Sequence, residues 1–91
     1  LAIEVETETL EQVREALSVG VAVIMLDNMP IPEMNKAVAM IRTAAPHTKI
    51  EASGNITLET LRSVALTGVD YISTSAMITR SPWLDFSLTI L

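Results

Sequence analysis

Glu6 and Asp27 stand where acids do chemistry, each ending a strand-like stretch: residues 3–6 read IEVE and residues 21–27 read VAVIMLD. Adjacent parallel strands lie about 4.8 Å apart, so carboxylates at neighbouring strand ends can share one divalent cation or a ribose diol. Magnesium is the hard cation that commonly pairs with one or two carboxylates plus ligand phosphates, directly or through water. Glu4 shares a strand face with Glu6 by the period of two and is the alternative acid. Two small-residue segments end the next two strand-like stretches: Ser53-Gly54-Asn55 and Thr74-Ser75-Ala76. The first feeds a helix start, where free N–H groups and the positive end of the helix dipole make a phosphate cradle. The second adds N–H and hydroxyl donors to the same anion, and Arg80 is the cation nearest this rim.

These residues need a repeating scaffold to bring them together. The polar ends Glu6, Asp27, Ser53 and Ser75 are separated by 21, 26 and 22 residues, with one helix-like segment in each gap. A strand-helix repeat of that period is a βα unit, and parallel βα folds collect their chemistry at the carboxyl ends of the strands. Strands are expected at residues 1–5, 21–26, 49–52 and 69–73. The second is continuously apolar, as suits a parallel strand buried on both faces.

The helix starts and stops are marked. Thr9 caps the first helix, with Gln12 at capping-box spacing and Gly20 at its end. Pro32 at the first helical position and Glu33 open the second, whose buried stripe is Met34, Ala37, Val38 and Ile41. Thr57 caps the third, with Leu58, Leu61 and Val64 as its buried face and Gly68 at its end. After Thr79 the pattern breaks: Ser81-Pro82 is a turn, and residues 85–91 alternate as a strand. The fold class is α/β, with parallel βα units forming part of an α/β barrel and a C-terminal strand that leaves the barrel. Residues 1–80 are the partial barrel carrying the rim; residues 81–91 are a turn and strand pairing outside it. His47 belongs to the opposite end of the strands as a surface residue, and Trp83 and Phe86 pack where the tail docks.

Size and composition set limits. A closed βα barrel takes roughly 200 or more residues, so a chain of 91 holds about half of one and is expected to be a piece of a larger polypeptide. A hydrophobic share of 49% and a mean hydropathy of +0.42 fit that view. The longest apolar run in the strands, residues 21–26, is far shorter than the ~20 residues of a membrane span, so no membrane partner is expected. The absence of cysteine removes disulfides and thiolate metal sites and fits a cytoplasmic location. With net charge −5 and six scattered Lys and Arg, no basic patch for nucleic acid forms.

Read in order, IEVET, VIMLDNMPIPEM, IEASGNITLETLR, TGVDYISTSAMITRS and WLDFSL resemble the carboxyl-terminal part of the quinolinate phosphoribosyltransferases, across essentially the whole chain. The resemblance implies an α/β barrel beside an α+β sandwich. It also implies transfer of the phosphoribosyl group of phosphoribosyl pyrophosphate to quinolinate with magnesium, releasing pyrophosphate and carbon dioxide and forming nicotinate mononucleotide in NAD biosynthesis. It implies a homodimer whose active sites borrow residues from the partner. By motif position, Glu6 and Asp27 fall on the acids near the ribose hydroxyls and metal. Ser53, Gly54 and Asn55 fall on the phosphate loop, and Thr74, Ser75 and Ala76 on the second one. Many members have Gly where this chain has Asn55, and Gly where it has Ser75, which puts a Cβ where the backbone approaches phosphate. The family's basic residues for quinolinate and pyrophosphate lie upstream of this segment, so the segment alone is expected to be inactive.

A reading from another class competes. MLDNMP echoes the phosphoacceptor sequence of signalling receiver domains, with Asp27 as phosphoacceptor. Against it, Glu4 and Glu6 alternate where a receiver has adjacent acids, and no Lys closes the last strand. A third reading makes the segment an interaction fragment without activity of its own.

Overall fold

The structure, a computed structural model, describes residues 3–73 and the backbone of residues 78–80. The elements run β1 (Glu4–Thr7), α1 (Leu10–Val19), β2 (Val23–Asp27), α2 (Ile31–Ala44), β3 (Lys49–Ser53), α3 (Leu58–Leu66), β4 (Tyr71–Ser73) and β5 (Ile78–Arg80). The local signals explain most boundaries. Thr9 Oγ1 accepts from the Gln12 N–H at 3.1 Å, while Gln12 reaches back to the Glu8 N–H at 2.6 Å, one residue earlier than in a reciprocal box. At α3 the reciprocal box forms, between Thr57 and Thr60. Gly20 closes α1 at φ 69°. Ile31, rather than Pro32, is the first residue of α2, which places Pro32 second.

Strands β1 to β4 are parallel and lie in sequence order, with β5 antiparallel on the β4 edge. Alternation along each strand then sorts the side chains. Thr7, Leu26, Ala52 and Ile72 share one row, Ile24 and Ile50 the row below, and all are fully buried. They meet Val13 and Ala16 of α1, Met34, Ala37, Val38 and Ile41 of α2, and Leu61, Val64 and Ala65 of α3 in one core. All three helices therefore cover the same face of the sheet. A doubly wound sheet has a point where strand order reverses and helices on both faces; a barrel sector has neither. The chain is α/β, built of parallel βα units of the barrel type. The receiver reading fails on this topology, because its first strand would lie inside the sheet rather than at the edge.

At the amino ends of the strands, Arg42 of α2 ties three segments together. Its guanidinium donates to the Thr48 carbonyl at 3.3 Å, the Gly68 carbonyl at 2.8 Å and Asp70 Oδ2 at 3.0 Å. The same Asp70 oxygen accepts from the Ile50 N–H at 2.8 Å. His47 is exposed in the α2–β3 loop, as expected of a surface residue.

Three expectations are corrected. Leu58 is 69% exposed, and Ala65 replaces it in the buried stripe of α3. Leu58 opens the helix and lies roughly 70° from the centre of the Leu61-Val64-Ala65 stripe at 100° per residue, at its edge. Residues 78–80, for which no strand is expected from the sequence, pair with Tyr71, Ile72 and Ser73. A three-residue strand is too short to show alternation, and the open β4 edge offers it unpaired backbone groups. The first strand begins at Glu4 and runs one residue beyond Glu6, to Thr7. The expected turn and strand at residues 81–91, with Trp83 and Phe86, lie outside the described residues.

Candidate functional site

The sheet face turned away from the helices carries the polar residues, in rows set by the strand register. Asp27, Ser53 and Ser73 are level at the carboxyl ends. Glu6, Met25, Glu51 and Tyr71 form the next row, and Glu4, Val23 and Lys49 the one below. Glu6 and Asp27 thus share a face on adjacent strands, but not a level, as a rim of matched strand ends would require. Glu6 pairs with Met25, two residues short of Asp27, so the two acids are diagonal neighbours with Cα atoms roughly 7–8 Å apart. Carboxylate side chains span that separation. Glu6 is exposed and Asp27 half-buried.

Glu51 was not singled out from sequence, although the period of two puts it on the face of Ser53. Its carboxyl is held above the ordinary carboxylate range, first by partial burial, then by the Glu4 carboxylate and a hydrogen bond to it. A raised carboxyl pKa in the folded state means that the fold binds the proton more tightly than the unfolded chain does. The associated stability is present below the ordinary carboxylate range and is lost as pH rises through the raised value. Glu51→Gln is accordingly expected to raise the melting temperature at about pH 7 and leave it unchanged at about pH 4. The gain is small, because solvent screens the pair, and salt shrinks it further. Melting curves of the protein and variant at both pH values check this, and equal differences at both would rule out the charge pair.

The β3–α3 loop is built around two residues with positive φ, Asn28 at 53° and Gly54 at 119°. The Asn28 N–H donates to the Ser53 carbonyl at 2.9 Å, and Asn28 Oδ1 accepts from the Asn55 N–H at 3.0 Å. The Ile56 N–H turns back on the Gly54 carbonyl at 2.9 Å, and the Thr57 N–H on the Thr60 hydroxyl at 3.0 Å. Three consecutive loop N–H groups are therefore engaged within the chain. The remaining polar groups that this loop could offer an anion are the Ser53 hydroxyl, the Asn55 carboxamide and the N–H groups of the first turn of α3. The loop borders a cavity of about 300 Å³ between the starts of α2 and α3, lined by Asn28, Pro30, Ile31, Ser53 and Asn55 among others. Asn28 was not proposed from sequence either. Its signal was an Asn straight after a strand, the residue that best tolerates the left-handed region after Gly. Thr74, Ser75 and Ala76 lie outside the described residues, as does the side chain of Arg80.

The donor chemistry suits magnesium in kind: hard carboxylate oxygens on one face, with no thiolate in the chain. Among the described residues no group of three or more His, Cys, Asp or Glu is arranged to hold a metal ion. A cation here would draw its remaining ligands from phosphates and water, which is magnesium's habit.

A parallel sheet with helices on one face and polar side chains on the other defines the chain as a barrel-type α/β protein. Comparison with known proteins supplies the family. The family model described as quinolinate phosphoribosyl transferase, C-terminal domain, matches residues 1–89, and the chain belongs to that family. A probable nicotinate-nucleotide pyrophosphorylase (carboxylating) of Synechocystis sp. is 60% identical over 90 residues, covering 99% of this chain and 30% of that protein. The nicotinate-nucleotide pyrophosphorylase (carboxylating) of Rattus norvegicus is 34% identical over 90 residues, with the same shares covered. The chain thus spans about 30% of the length of these curated relatives. Among solved structures, the nicotinate-nucleotide pyrophosphorylase of Ehrlichia chaffeensis superposes with a TM-score of 0.73 at 43% identity, covering 79% of this chain and 25% of that one. The Francisella tularensis enzyme gives 0.72 at 33% identity over 80% of this chain and 25% of that one.

Proposed function

We propose that this chain is the carboxyl-terminal part of an enzyme that joins quinolinate to the phosphoribosyl group of phosphoribosyl pyrophosphate. Nicotinate mononucleotide, pyrophosphate and carbon dioxide are the products. The observation that carries the reading is the shared sheet face of Glu6, Asp27 and Ser53, at the carboxyl ends of parallel strands, in a chain of this family. The names of the relatives support the substrate assignment.

Departure of pyrophosphate leaves positive charge on the ribose, and carboxylates fixed nearby stabilise that charge as it develops. Glu6 and Asp27 take this part and accept hydrogen bonds from the ribose diol. Magnesium, when bound by the same two carboxylates directly or through water, supplies positive charge to the leaving pyrophosphate. Ser53, Gly54 and Asn55 receive the 5′-phosphate at the start of α3, joined by Thr74, Ser75 and Ala76. Four acids, Glu4, Glu6, Asp27 and Glu51, share this face with Lys49 in its lowest row, so most cations for two polyanionic substrates must come from elsewhere in the polypeptide or from a second subunit. A homodimer with shared sites meets that need. Among the described residues no helix is long and apolar enough to cross a membrane. A cytoplasmic enzyme belongs to the same reading, although relatives from Nicotiana tabacum and Oryza sativa are named mitochondrial and chloroplastic.

The test is product analysis with the full-length enzyme. Quinolinate and phosphoribosyl pyrophosphate with magnesium should yield nicotinate mononucleotide, pyrophosphate and carbon dioxide in equal amounts, and the 91-residue segment alone should yield none. Equal turnover of nicotinic acid, without carbon dioxide release, would overturn the assignment.

A further inference from the structure

Asn28 stands one residue beyond Asp27, takes no part in the chemistry proposed above, and yet makes the contacts that shape the neighbouring loop. Its backbone sits at φ 53°, a conformation open to Gly and, among side-chain-bearing residues, chiefly to Asn and Asp. That twist lets its N–H extend the β2–β3 ladder to the Ser53 carbonyl while its carboxamide oxygen turns to the Asn55 N–H. One residue thereby grips the loop on both sides of Gly54. The fit is close: a Cβ on Gly54 would stand 2.2 Å from Asn28 Oδ1 and 2.7 Å from its Cγ. Gly54 and Asn28 are therefore a matched pair, the absent side chain of one making room for the side chain of the other.

We infer that Asn28 is a positioning residue for the phosphate end of the phosphoribosyl donor, acting through the β3–α3 loop without touching the reacting atoms. The inference rests on the function proposed above. The carboxamide holds the Asn55 N–H and the backbone N–H holds the Ser53 carbonyl, which fixes the course of the loop where Ser53 and Asn55 line the cavity. Without it, Gly54 regains its freedom and the loop samples positions that do not receive the phosphate. The effect falls on capture of one substrate and leaves the carboxylates at the ribose undisturbed.

Two variants of the full-length enzyme separate this role from a general one. Asn28→Gly keeps the backbone conformation and removes the carboxamide; Asn28→Asp keeps an acceptor for the Asn55 N–H. In Asn28→Gly the KM for phosphoribosyl pyrophosphate should rise about tenfold, a change of 1.4 kcal/mol, with kcat and the KM for quinolinate within about twofold. Amide hydrogen exchange at Asn55 should quicken at least fivefold while exchange in the core is unchanged. Asn28→Asp should keep the slow Asn55 exchange. An unchanged KM for phosphoribosyl pyrophosphate in Asn28→Gly, or equal rises in both KM values, would overturn the inference. So would Asn55 exchange as slow in Asn28→Gly as in the parent. A parent enzyme without phosphoribosyl transfer would instead overturn the functional reading, so the two failures are told apart.

Discussion

Asp27→Asn in the full-length enzyme is expected to lower kcat/KM by about 10²- to 10³-fold, the range seen when one fixed electrostatic contact to a developing charge is removed. Asn keeps the size of the side chain and one acceptor oxygen, so what is lost is the charge. Asp27 is half-buried at the end of β2, and its backbone lies in the parallel ladder opposite Ser53. The substitution leaves that ladder intact, and the melting temperature should stay within a degree or two. The loss should appear mainly in kcat, because the carboxylate acts on charge present only as the pyrophosphate departs. The magnesium dependence should also shift to higher concentration. Steady-state kinetics with titrated magnesium check both, and unchanged kcat/KM with unchanged magnesium dependence would remove Asp27 from the chemistry.

Gly54→Ala is expected to damage both fold and activity. A residue with a Cβ at φ 119° is strained by about 1–3 kcal/mol, and the new methyl would collide with the Asn28 carboxamide. The melting temperature should fall by several degrees, and kcat/KM should fall at least thirtyfold as Ser53 and Asn55 are displaced. Gly20→Ala is the control. Gly20 also has positive φ, 69°, but nothing lies within 4 Å of the position its Cβ would take. Its cost is about 1 kcal/mol of strain, with activity untouched. Thermal melts and kinetics on the two variants together separate loop geometry from backbone strain, and equal kinetic effects would remove the loop from the site.

The βα order was legible because each element carried its own punctuation. Thr9, Gly20, Thr57 and Gly68 mark the ends of α1 and α3 by side-chain capping and left-handed closure, and such signals are local. The buried stripe Met34, Ala37, Val38 and Ile41 followed from helical spacing and holds in full. Register was not legible. Glu6 and Asp27 end similar strand-like stretches, yet Glu6 lies two residues lower on β2 than equal endings imply, because pairing depends on how α1 returns the chain to the sheet. Glu51 carries no local signal for a related reason: its carboxyl becomes unusual only when the fold partly buries it and brings Glu4, two strands away, against it. Asn28 was visible as turn chemistry, but its grip on Asn55 is a contact between residues 27 positions apart. The short β5 gave no periodic signal at all.

The antiparallel β5 has a consequence for assembly. β5 forms one edge of the described sheet and β1 the other, and β1 is the edge that belongs to the parallel strands. A polypeptide zipping onto β1 would bring every second side chain into the rows that Glu4 and Glu6 already occupy. Lysines or arginines on such a newcomer would face those acids at nearest-neighbour range. Such a pairing would also offset the negative charge of that edge.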